Sequence, residues 1–475
     1  MITIRIVNCN FCELEGPLKY TNKLYEAFRI KHPDAWHIQM RGRNRNWDGY
    51  VKYISENGRF KIGLLNSVFN KCKEFGLSVK IIDTRPPLKI PSRIPDRLGS
   101  LVLRETQKNT LECLISNKVG DTPFLICASK LAVNYGKTAI FCGLHETFKR
   151  KLKTVLLLNS SDLFKQFQKE IPLLLPGEDI GFIQGKKRNW GNFNVCMVQS
   201  LASNIRTYQK SLEAIDMVLI DEADVIDNKT YSTVIQHLYN SRIRIGLSGT
   251  LYMSEAKKKI IHNMNIRSFI GDLVNTVDLK DMIDKGYSTP VICKCIEAPF
   301  QYSGDDDYTE EYRKVIIDNP KAYEFSLERT KFNLRYQRIP MLIVCKFIDH
   351  CEKLYEYYVK HLGNEYSIQY VHHNTKGRDE ILQAFREGKI DILIATTIIS
   401  RGQNFPQLKY LQNIACMDSN EKSIQILGRL VRTHQSKKKA YLDDLQFPGN
   451  YLKRHSNHRR IYYQKEKLKV IRIKG

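Results

Sequence analysis

The sequence predicts an α/β protein in which two tandem parallel-sheet domains follow a small α+β module. Three observations support this fold class. At about 150 residues per domain, a chain of 475 residues is long enough for roughly three folded units. A proline-rich stretch, TRPPLKIPSRIPDR (84–97), interrupts the chain early and indicates a linker. After it, apolar runs alternate with amphipathic stretches, which is typical of βαβ units.

These observations divide the chain into four segments. The first α/β set includes the apolar run MVLIDEAD (217–224), and a second set begins after Gly286 with MLIVC (341–345) as one of its strands. The predicted segments are a nucleic-acid-binding α+β module (1–87), the linker (88–97), a first α/β domain (98–286), and a second α/β domain with a basic C-terminal tail (287–475).

The charge of the chain predicts a polyanionic partner. Lys and Arg number 75 against 50 Asp and Glu, a formal net charge of +25, while the hydrophobic fraction of 42% is ordinary for folded protein. Nucleic acid is favoured over a membrane surface, although charge alone leaves open a basic protein without such a partner. We see no targeting segment and no apolar run of about 18 residues, so we expect a cytoplasmic protein.

The twelve cysteines predict buried thiols rather than a metal site. They are scattered through apolar runs such as FLIC, NVCMV and LIVCKF, as expected for reduced core residues. Cys9 and Cys12 form a lone CxxC motif without a second pair at the spacing of a zinc ribbon, so zinc is not favoured.

The stretch LAVNYGKTAIF (131–141) contains the end of a phosphate-binding loop. Such a loop needs backbone N–H groups at a helix N-terminus, a lysine that reaches the β- and γ-phosphates, and a hydroxyl group for Mg²⁺. Gly136, Lys137 and Thr138 supply these groups, and residues with helical spacing follow them. The triplet alone is a weak signal, because it arises by chance in lysine-rich chains.

The run MVLIDEAD predicts a buried strand that ends in two carboxylates, Asp221 and Glu222. Ligands of open parallel sheets bind at the carboxyl ends of the strands. There Asp221 can hold Mg²⁺ through its water shell, and Glu222 can polarise the water that attacks the phosphoryl group. The alternative is that the acidic cluster only caps the start of a helix.

Three motifs, DEAD (221–224), SGT (248–250) and QILGRLVR (425–432), stand in the order found in superfamily 2 helicases, which this sequence resembles. The resemblance implies two RecA-like domains that use ATP and Mg²⁺. It further implies that Gln425 contacts ATP and that Arg429 and Arg432 reach its phosphates from the second domain. We assign Arg432 as the arginine finger and Arg429 as the γ-phosphate contact, although these roles can be exchanged. An arginine finger typically raises the rate of phosphoryl transfer by about 10³–10⁵-fold.

The same resemblance assigns further positions. Gln107, in LRETQ, matches the residue that reads adenine, and Ser248, Gly249 and Thr250 match the motif that couples the sites. The other ATP-binding positions are Asn134, Tyr135, Gly136, Gly402 and Asn404, and the nucleic-acid positions are Ser160, Ser161, Gln199, Ser200 and Thr397.

The phosphate loop departs from the family pattern. Val133 and Asn134 stand where the family often has a Thr-Gly pair, but asparagine tolerates left-handed backbone, so Asn134 can substitute for glycine. Tyr135 falls at a variable position, where its ring can stack near the base or the DNA. Asn404 replaces a commoner Asp, which keeps hydrogen bonding but loses a charge. No catalytic group is missing, so we expect a competent loop.

A row of arginines in the N-terminal module, Arg41, Arg43 and Arg45, would project from one face of an extended strand. The stretch ENGRF predicts an Asn-Gly turn of a hairpin. With Trp47 and Tyr50, this hairpin suits phosphate contact and base stacking; the alternative is a solvated strand face with Trp47 in the core. The pattern NWDGYVKYI…GRFKIGLL and the helix after it resemble the N-terminal domain of UvsW-like phage recombination helicases.

Two other basic regions are candidates for phosphate contact. GKKRNWGNFN (185–194) contains Lys186, Lys187 and Arg188 before the strand that leads to Gln199. The tail from Gly449 carries nine Lys and Arg against one acid. A solvated or disordered tail stays open as the alternative to a specific site.

The leading interpretation is an ATP- and Mg²⁺-dependent DNA helicase or translocase, which we expect to be a monomer. The UvsW-like resemblance implies remodelling of branched DNA with 3′→5′ polarity: fork regression, Holliday junction migration, and unwinding of D-loops or RNA:DNA hybrids. The setting implied is phage replication, recombination and repair in the host cytoplasm.

Two alternatives stay open. The first is an RNA helicase of the same superfamily, which the literal DEAD favours; against it, Gln425 stands where the RNA-unwinding group has His in HRxGRxGR. The second is a nucleic-acid-binding scaffold whose ATPase has decayed. Intact Lys137, Thr138, Asp221 and Glu222 disfavour decay, because drift would be expected to lose at least one of them.

Overall fold

The computed structural model describes residues 1–40, 47–252, 257–400 and 404–474. It divides into two compact units, Met1–Leu131 with Gly136–Thr276, and Ala132–Tyr135 with Val277–Gly475. Four predicted site residues lie outside the described residues: Arg41, Arg43, Arg45 and Gly402.

The N-terminal module is an α+β fold. Its elements are β1 (Ile2–Ile6), β2 (Phe11–Glu15), α1 (Leu18–Ala27), β3 (Arg29–Lys31), α2 (Ala35–Met40), β4 (Tyr50–Lys52), β5 (Arg59–Lys61), α3 (Leu65–Glu74) and β6 (Val79–Asp83). One sheet has the order β5-β2-β1-β6, in which β1 is antiparallel to β2 and parallel to β6. Ile2, Ile4 and Ile6 are all buried, because alternate side chains of a strand point to the same face.

The first α/β domain follows in the same unit. Its elements are β7 (Arg97–Leu98), β8 (Leu101–Val102), α4 (Glu105–Ile115), β9 (Lys118–Val119), β10 (Thr122–Pro123), β11 (Ile126–Leu131), α5 (Lys137–Thr147), β12 (Thr154–Leu158), α6 (Ser161–Leu174), β13 (Ile180–Gln184), β14 (Lys187–Asn189), β15 (Phe193–Met197), α7 (Val198–Ser203), α8 (Ile205–Glu213), β16 (Met217–Asp221), α9 (Lys229–Ile235), β17 (Ile243–Ser248), α10 (Lys257–Ile270) and β18 (Leu273–Val277).

Its eight-stranded sheet has the order β14-β13-β15-β12-β16-β17-β11-β18. The pairings from β13 to β11 are parallel, and β14 is antiparallel to β13. Strands β12, β15, β16 and β17 are buried along their whole lengths, because helices cover both faces of a parallel sheet. This explains why their sequences are continuous apolar runs.

The second α/β domain contains a seven-stranded parallel sheet. Its elements are α11 (Leu279–Asp284), β19 (Val291–Glu297), α12 (Tyr308–Tyr312), α13 (Pro320–Leu334), β20 (Met341–Cys345), α14 (Ile348–Leu362), β21 (Ile368–Val371), α15 (Arg378–Arg386), β22 (Ile392–Thr396), β23 (Tyr410–Asn413), α16 (Asn420–Leu430), β24 (Ala440–Gln446), α17 (Asn450–Lys465) and β25 (Val470–Ile473). The strand order is β21-β22-β20-β23-β24-β19-β25, with parallel pairing throughout.

The basic C-terminal segment belongs to this second domain. Strand β25 pairs with β19, and α17 buries Arg459 completely. Nη2 of Arg459 lies 2.7 Å from Oδ1 of Asp444, whose side chain is also fully buried, and Tyr463 donates to the same carboxylate at 2.8 Å. The alternative of a disordered tail is therefore wrong.

The core of the N-terminal module continues into the first α/β domain. Val119, Phe124 and Ile126 pack in the same hydrophobic cluster as Ile4 and Phe60 of the module. The two therefore share one core within the first unit.

The cysteines are mostly buried, as the apolar runs around them in the sequence predict. Eleven of the twelve are buried free thiols, and Cys113 is partly exposed. Within the part of the chain that the structure describes, no helix is both long and apolar enough to cross a bilayer.

Candidate nucleotide and nucleic-acid site

The phosphate loop joins the buried strand β11 to helix α5. Gly136 is the N-cap of α5 and adopts φ 90°, in the left-handed region. A Cβ atom at Gly136 would lie 2.9 Å from Nε2 of Gln107 and 3.2 Å from Nη2 of Arg104, so the ends of both side chains would have to shift to admit one. Asn134 has φ 67°, the left-handed conformation expected of an asparagine that replaces glycine.

Lys137 and Asp221 meet at the carboxyl edge of the first large sheet. Asp221 is the last residue of β16 and Lys137 is the first of α5; Nζ of the lysine lies 2.8 Å from Oδ1 of the aspartate. Burial lowers the pKa of Lys137, but the charges of Asp221 and Glu222 outweigh burial and raise it above its ordinary value. The ammonium group therefore stays charged beside the acidic motif.

Glu222 has a strained backbone. Its φ is 50°, which a residue other than glycine rarely adopts, and it is 8% exposed. Its N–H donates to Oδ1 of Asp221 at 3.0 Å, and its side chain makes no cap hydrogen bond to the short turn Ala223–Val225 that follows. The alternative in which this cluster caps a helix is therefore not supported. Strain of this kind is typical of functional sites.

Asp224 connects the acidic motif to the SGT motif, a role not assigned from the sequence. Its two carboxylate oxygens accept hydrogen bonds from Oγ of Ser248 at 2.5 Å and from Oγ1 of Thr250 at 3.2 Å. Gly249 lies between these two residues. Ser248 ends β17, the neighbour of β16, so the contact joins the ends of two adjacent strands.

Thr138 contacts a carboxylate that sequence reasoning missed. Its Oγ1 donates to Oε2 of Glu170 at 2.9 Å, and Nε2 of Gln166 donates to the other oxygen at 2.8 Å. Glu170 lies on α6, outside any recognised motif, and only the packing of α5 on α6 reveals it.

The donors at this edge fit Mg²⁺. The Thr138 hydroxyl and the Asp221 carboxylate are oxygen ligands, which this cation prefers. In the described ranges no group of three or more His, Cys, Asp or Glu could hold a metal ion. Mg²⁺ usually takes one or two carboxylates together with substrate phosphates and water, so Thr138 and Asp221 are the residues that would hold it.

Gln107 is placed next to the phosphate loop. Its Oε1 accepts a hydrogen bond from the backbone N–H of Arg104 at 3.1 Å, part of a capping box at the start of α4. Tyr135 is 1% exposed, so its ring is buried in protein rather than presented to a base or to DNA.

Four predicted nucleic-acid residues lie at one edge of the first large sheet. Ser160 and Ser161 follow β12, and Gln199 and Ser200 lie in α7, which directly follows the neighbouring β15. Nε2 of Gln199 donates to the backbone oxygen of Asn159 at 3.3 Å, which connects the two strand ends.

A basic hairpin lies beside these residues. Strands β13 and β14 form it, and the cationic residues 186–188 are exposed. The N–H of Gly185 donates to Oγ of Ser200 at 3.0 Å, and Nε2 of Gln184 donates to Oγ of Ser161 at 3.3 Å. The basic segment and the predicted nucleic-acid residues, which the sequence suggests separately, are thus adjacent in space.

The motif residues of the second α/β domain lie within or shortly after helix α16 and after strand β22. Gln425 and Arg429 lie within α16, and Arg432 lies two residues beyond its end. Thr397 directly follows β22, and Asn404 is exposed.

Trp47 takes part in packing within its own module. Its Nε1 donates to the backbone oxygen of Tyr50 at 2.9 Å, and its ring meets His32 edge-on with the centroids 5.7 Å apart. These contacts favour the alternative of a packed Trp47 over a base-stacking one.

The Asn-Gly turn of the module forms, but the predicted hairpin is mostly absent. The N–H of Gly58 donates to the oxygen of Ser55 at 2.8 Å, and Ile54 and Phe60 form one antiparallel bridge. Strand β4, however, pairs with β3 rather than with β5. A turn signal is local, whereas the choice of strand partner depends on the rest of the module.

Both α/β domains match known families. Residues 100–253 match the family described as "Type III restriction enzyme, res subunit", and residues 328–434 match the "Helicase conserved C-terminal domain". The first segment contains the phosphate loop and the DEAD motif, and the second contains QILGRLVR.

Individual proteins are similar over longer stretches. Helicase 22 of Sulfolobus islandicus filamentous virus is 25% identical over 378 residues, 74% of this chain and 65% of that protein. The ATP-dependent DNA helicase uvsW of Enterobacteria phage T4 is 21% identical over 442 residues, 87% of this chain and 84% of that protein. The chain spans 65%, 51% and 47% of the lengths of the first curated relatives it matches.

A solved structure agrees in fold. The fragment of an HsdR subunit of a type I restriction enzyme from Vibrio vulnificus YJ016 has a TM-score of 0.57 at 15% identity, and the match covers 78% of this chain and 67% of that one. The order of the motifs, the two parallel RecA-like sheets and both family matches lead to one assignment. The chain is a superfamily 2 helicase, and it is similar to uvsW of phage T4 over most of its length.

Proposed function

We propose that the protein is an ATP- and Mg²⁺-dependent DNA helicase or translocase that remodels branched DNA. The observation that carries the ATP-hydrolysing part of the proposal is the contact between Lys137 and Asp221, 2.8 Å from Nζ to Oδ1. It brings the lysine of the phosphate loop, the metal-binding carboxylate and the adjacent Glu222 to one place. Such an assembled set supports a working ATPase over a decayed one.

Each group has its own task in hydrolysis. When ATP binds, the Lys137 ammonium group leaves Asp221 and pairs with the β- and γ-phosphates. The backbone N–H groups of the loop bind the same phosphates. Thr138 and Asp221 would hold Mg²⁺, directly or through water, and the cation would supply positive charge beside the phosphate oxygens. The Glu222 carboxylate orients the attacking water and accepts its proton.

Two arginines complete the proposed chemistry. Arg432 stabilises the charge that develops on the transferring phosphoryl group, and Arg429 contacts the γ-phosphate. Asp224 relays a change at the acidic motif to the end of β17, because it holds the hydroxyls of Ser248 and Thr250.

The nucleic-acid edge supports contact with phosphates rather than with bases. Ser160, Ser161, Gln199 and Ser200 offer short polar side chains, and the hairpin residues 186–188 offer three cations. Phosphate contacts carry no sequence information directly, which suits a substrate that is recognised by its branched shape. The name of the phage T4 relative, a DNA helicase, supports DNA as the substrate. Movement in the 3′→5′ direction is part of the same proposal.

An RNA helicase is the second candidate. RNA helicases of pre-mRNA splicing are among the relatives, and the literal DEAD motif is consistent with them. Gln425 in place of histidine favours DNA.

The test is ATP hydrolysis with Mg²⁺ in the absence of nucleic acid, with forked DNA, and with duplex RNA. We expect stimulation by forked DNA, and loss of hydrolysis in Lys137→Ala because the lysine pairs with the phosphates. Lys169→Ala, an exposed lysine of α6, is the matched control and should hydrolyse ATP like the wild type.

Three results would change the proposal. Stronger stimulation by duplex RNA would favour the RNA helicase. No hydrolysis under any condition, with DNA still bound, would indicate a scaffold. Full activity of Lys137→Ala would show that the phosphate loop is not the nucleotide site.

A further inference from the structure

The backbone that carries the two motif arginines is held from outside the motif. Helix α16 ends at Leu430, so its last carbonyl groups lack partners within the helix. The carbonyl oxygens of Leu430, Val431 and Arg432 each accept a hydrogen bond from Thr289 or Lys437. Neither residue belongs to a recognised motif.

Thr289 donates to this segment twice. Its N–H lies 2.7 Å from the oxygen of Val431, and its Oγ1 lies 2.9 Å from the oxygen of Arg432. Thr289 is 3% exposed, so water does not compete for these bonds. The next residue, Pro290, accepts a hydrogen bond at 2.9 Å from the N–H of Ala440, the first residue of β24. Thr289 is therefore anchored to the central sheet of its domain.

Lys437 holds the end of the helix itself. Its Nζ donates to the oxygen of Leu430 at 2.8 Å and to the oxygen of Leu408 at 3.0 Å, and the residue is only 6% exposed. Burial, and after it the charge of Arg432, lowers the pKa of Lys437 to about 7. Burying an amine is unfavourable. The carbonyls and the negative end of the helix dipole offset part of that cost.

These contacts matter because Arg432 lies beyond the helix. Its backbone follows the C-cap residue Val431, so helical hydrogen bonds do not fix it. An arginine that must meet a transferring phosphoryl group needs accurate placement, and a shift of about 1 Å can lower a rate by about 10²-fold. The hydroxyl of Thr289 and Nζ of Lys437 restrict the two peptide groups from which such a shift would start.

We propose that Thr289 and Lys437 are positioning residues that orient Arg429 and Arg432 for phosphoryl transfer. The inference rests on the proposed function, in which these arginines act on ATP. Thr289 and Lys437 act through the backbone of residues 430–432 and not on the substrate.

The test compares Thr289→Val and Lys437→Met with two matched variants. Thr289→Ser keeps the hydroxyl group, and Lys438→Met removes an exposed lysine next to the buried one. For each variant, kcat and KM for ATP are measured with saturating forked DNA. Binding of a fluorescent ATP analogue and the thermal midpoint report the folded fraction.

We expect kcat to fall about 10- to 100-fold in Thr289→Val and Lys437→Met, with KM changed by less than about threefold. Thr289→Ser and Lys438→Met should stay close to the wild type. Unchanged kcat in either test variant would overturn the inference, as would equal losses in Thr289→Ser and Thr289→Val. A loss of kcat that merely follows a loss of folded, analogue-binding protein would also overturn it.

Arg432→Ala separates this inference from the proposed function. Wild-type turnover in Arg432→Ala would show that the arginine assignment itself is wrong. If Arg432→Ala loses turnover while Thr289→Val and Lys437→Met keep it, only the positioning role fails.

Discussion

At the scale of single residues, Gly136 constrains the phosphate loop through its backbone conformation. Its φ of 90° lies in the left-handed region, and a Cβ atom there would approach Nε2 of Gln107 to 2.9 Å. Any side chain would have to displace Gln107 or the loop. Lys137 follows directly, so such a displacement would move the lysine away from Asp221.

We expect Gly136→Ala to weaken binding of an ATP analogue by about tenfold or more, because the left-handed backbone costs roughly 1–2 kcal/mol and the end of Gln107, the predicted adenine contact, would have to move. Gly177→Ala is the control: its φ is 74°, yet nothing lies within 4 Å of the place that an added methyl group would occupy. Equilibrium binding by fluorescence, with thermal midpoints, checks the result. Equal affinities for the two variants would mean that the loop does not bind nucleotide.

Residues inside contiguous motifs can be assigned from the sequence, whereas their partners cannot. The left-handed backbone that the sequence predicts for Asn134 is present. Glu170, which accepts the Thr138 hydroxyl, gives no signal in the sequence because it stands on another helix. The sequence suggests that the ring of Tyr135 stacks on a base, whereas the structure buries this ring. The burial depends on neighbouring residues that motif spacing along the chain does not reveal.

At the scale of elements, the hairpin formed by β13 and β14 connects charge to the predicted nucleic-acid edge. Its residues 186–188 are exposed, while Gln184 and Gly185 contact Ser161 and Ser200. A cationic element fixed at this edge can contact the phosphates of a strand bound there.

We expect replacement of Lys186, Lys187 and Arg188 by glutamine to weaken DNA binding at all sequences. The slope of log K against log salt should become shallower by about 0.7–0.9 for each phosphate that the variant no longer neutralises. Affinity titrations at several salt concentrations measure this slope. A charge-matched control replaces the exposed Lys353, Lys360 and Lys389 of the second domain. Equal slopes for the hairpin and control variants would show that the hairpin cations do not contact DNA phosphates.

Strands are easier to predict than their pairing. The runs MLIVC and MVLID correspond to β20 (Met341–Cys345) and β16 (Met217–Asp221), because strands buried on both faces are apolar at every position. The predicted hairpin around the Asn-Gly turn is wrong in part, because β4 pairs with β3 instead of β5. Pairing is decided by packing against the whole module.

At the scale of the molecule, Arg244 joins the N-terminal module to the first α/β domain. It is 1% exposed on β17 and donates to the oxygen of Cys9 at 2.9 Å, to Oδ1 of Asn10 at 2.8 Å and to the oxygen of Phe269 at 3.0 Å. Burial lowers the pKa of Arg244 to about 10, so the guanidinium stays charged near neutral pH. The module is therefore a fixed part of the first unit.

We expect Arg244→Met to destabilise the first unit by about 3 kcal/mol or more, because each buried acceptor left without a donor costs about 1–3 kcal/mol. The thermal midpoint should fall, and limited proteolysis should cut the proline-rich linker sooner. The exposed Arg206→Met is the control. An unchanged midpoint in Arg244→Met would show that the shared hydrophobic core alone holds the module.

The sequence by itself determined the order of the chemical groups: the phosphate loop, the acidic motif and the arginine motif, on strands and helices of two parallel-sheet domains. It could do so because those groups are contiguous in the chain and because burial on both faces leaves an apolar pattern. Only the tertiary structure decided which distant residues meet. The hydroxyl of Thr138 donates to Glu170, and the carbonyl groups of residues 430–432 accept hydrogen bonds from Thr289 and Lys437. The N-terminal module shares its hydrophobic core with Ile126 of the first α/β domain. These pairings depend on how elements pack, and spacing along the chain does not specify that packing.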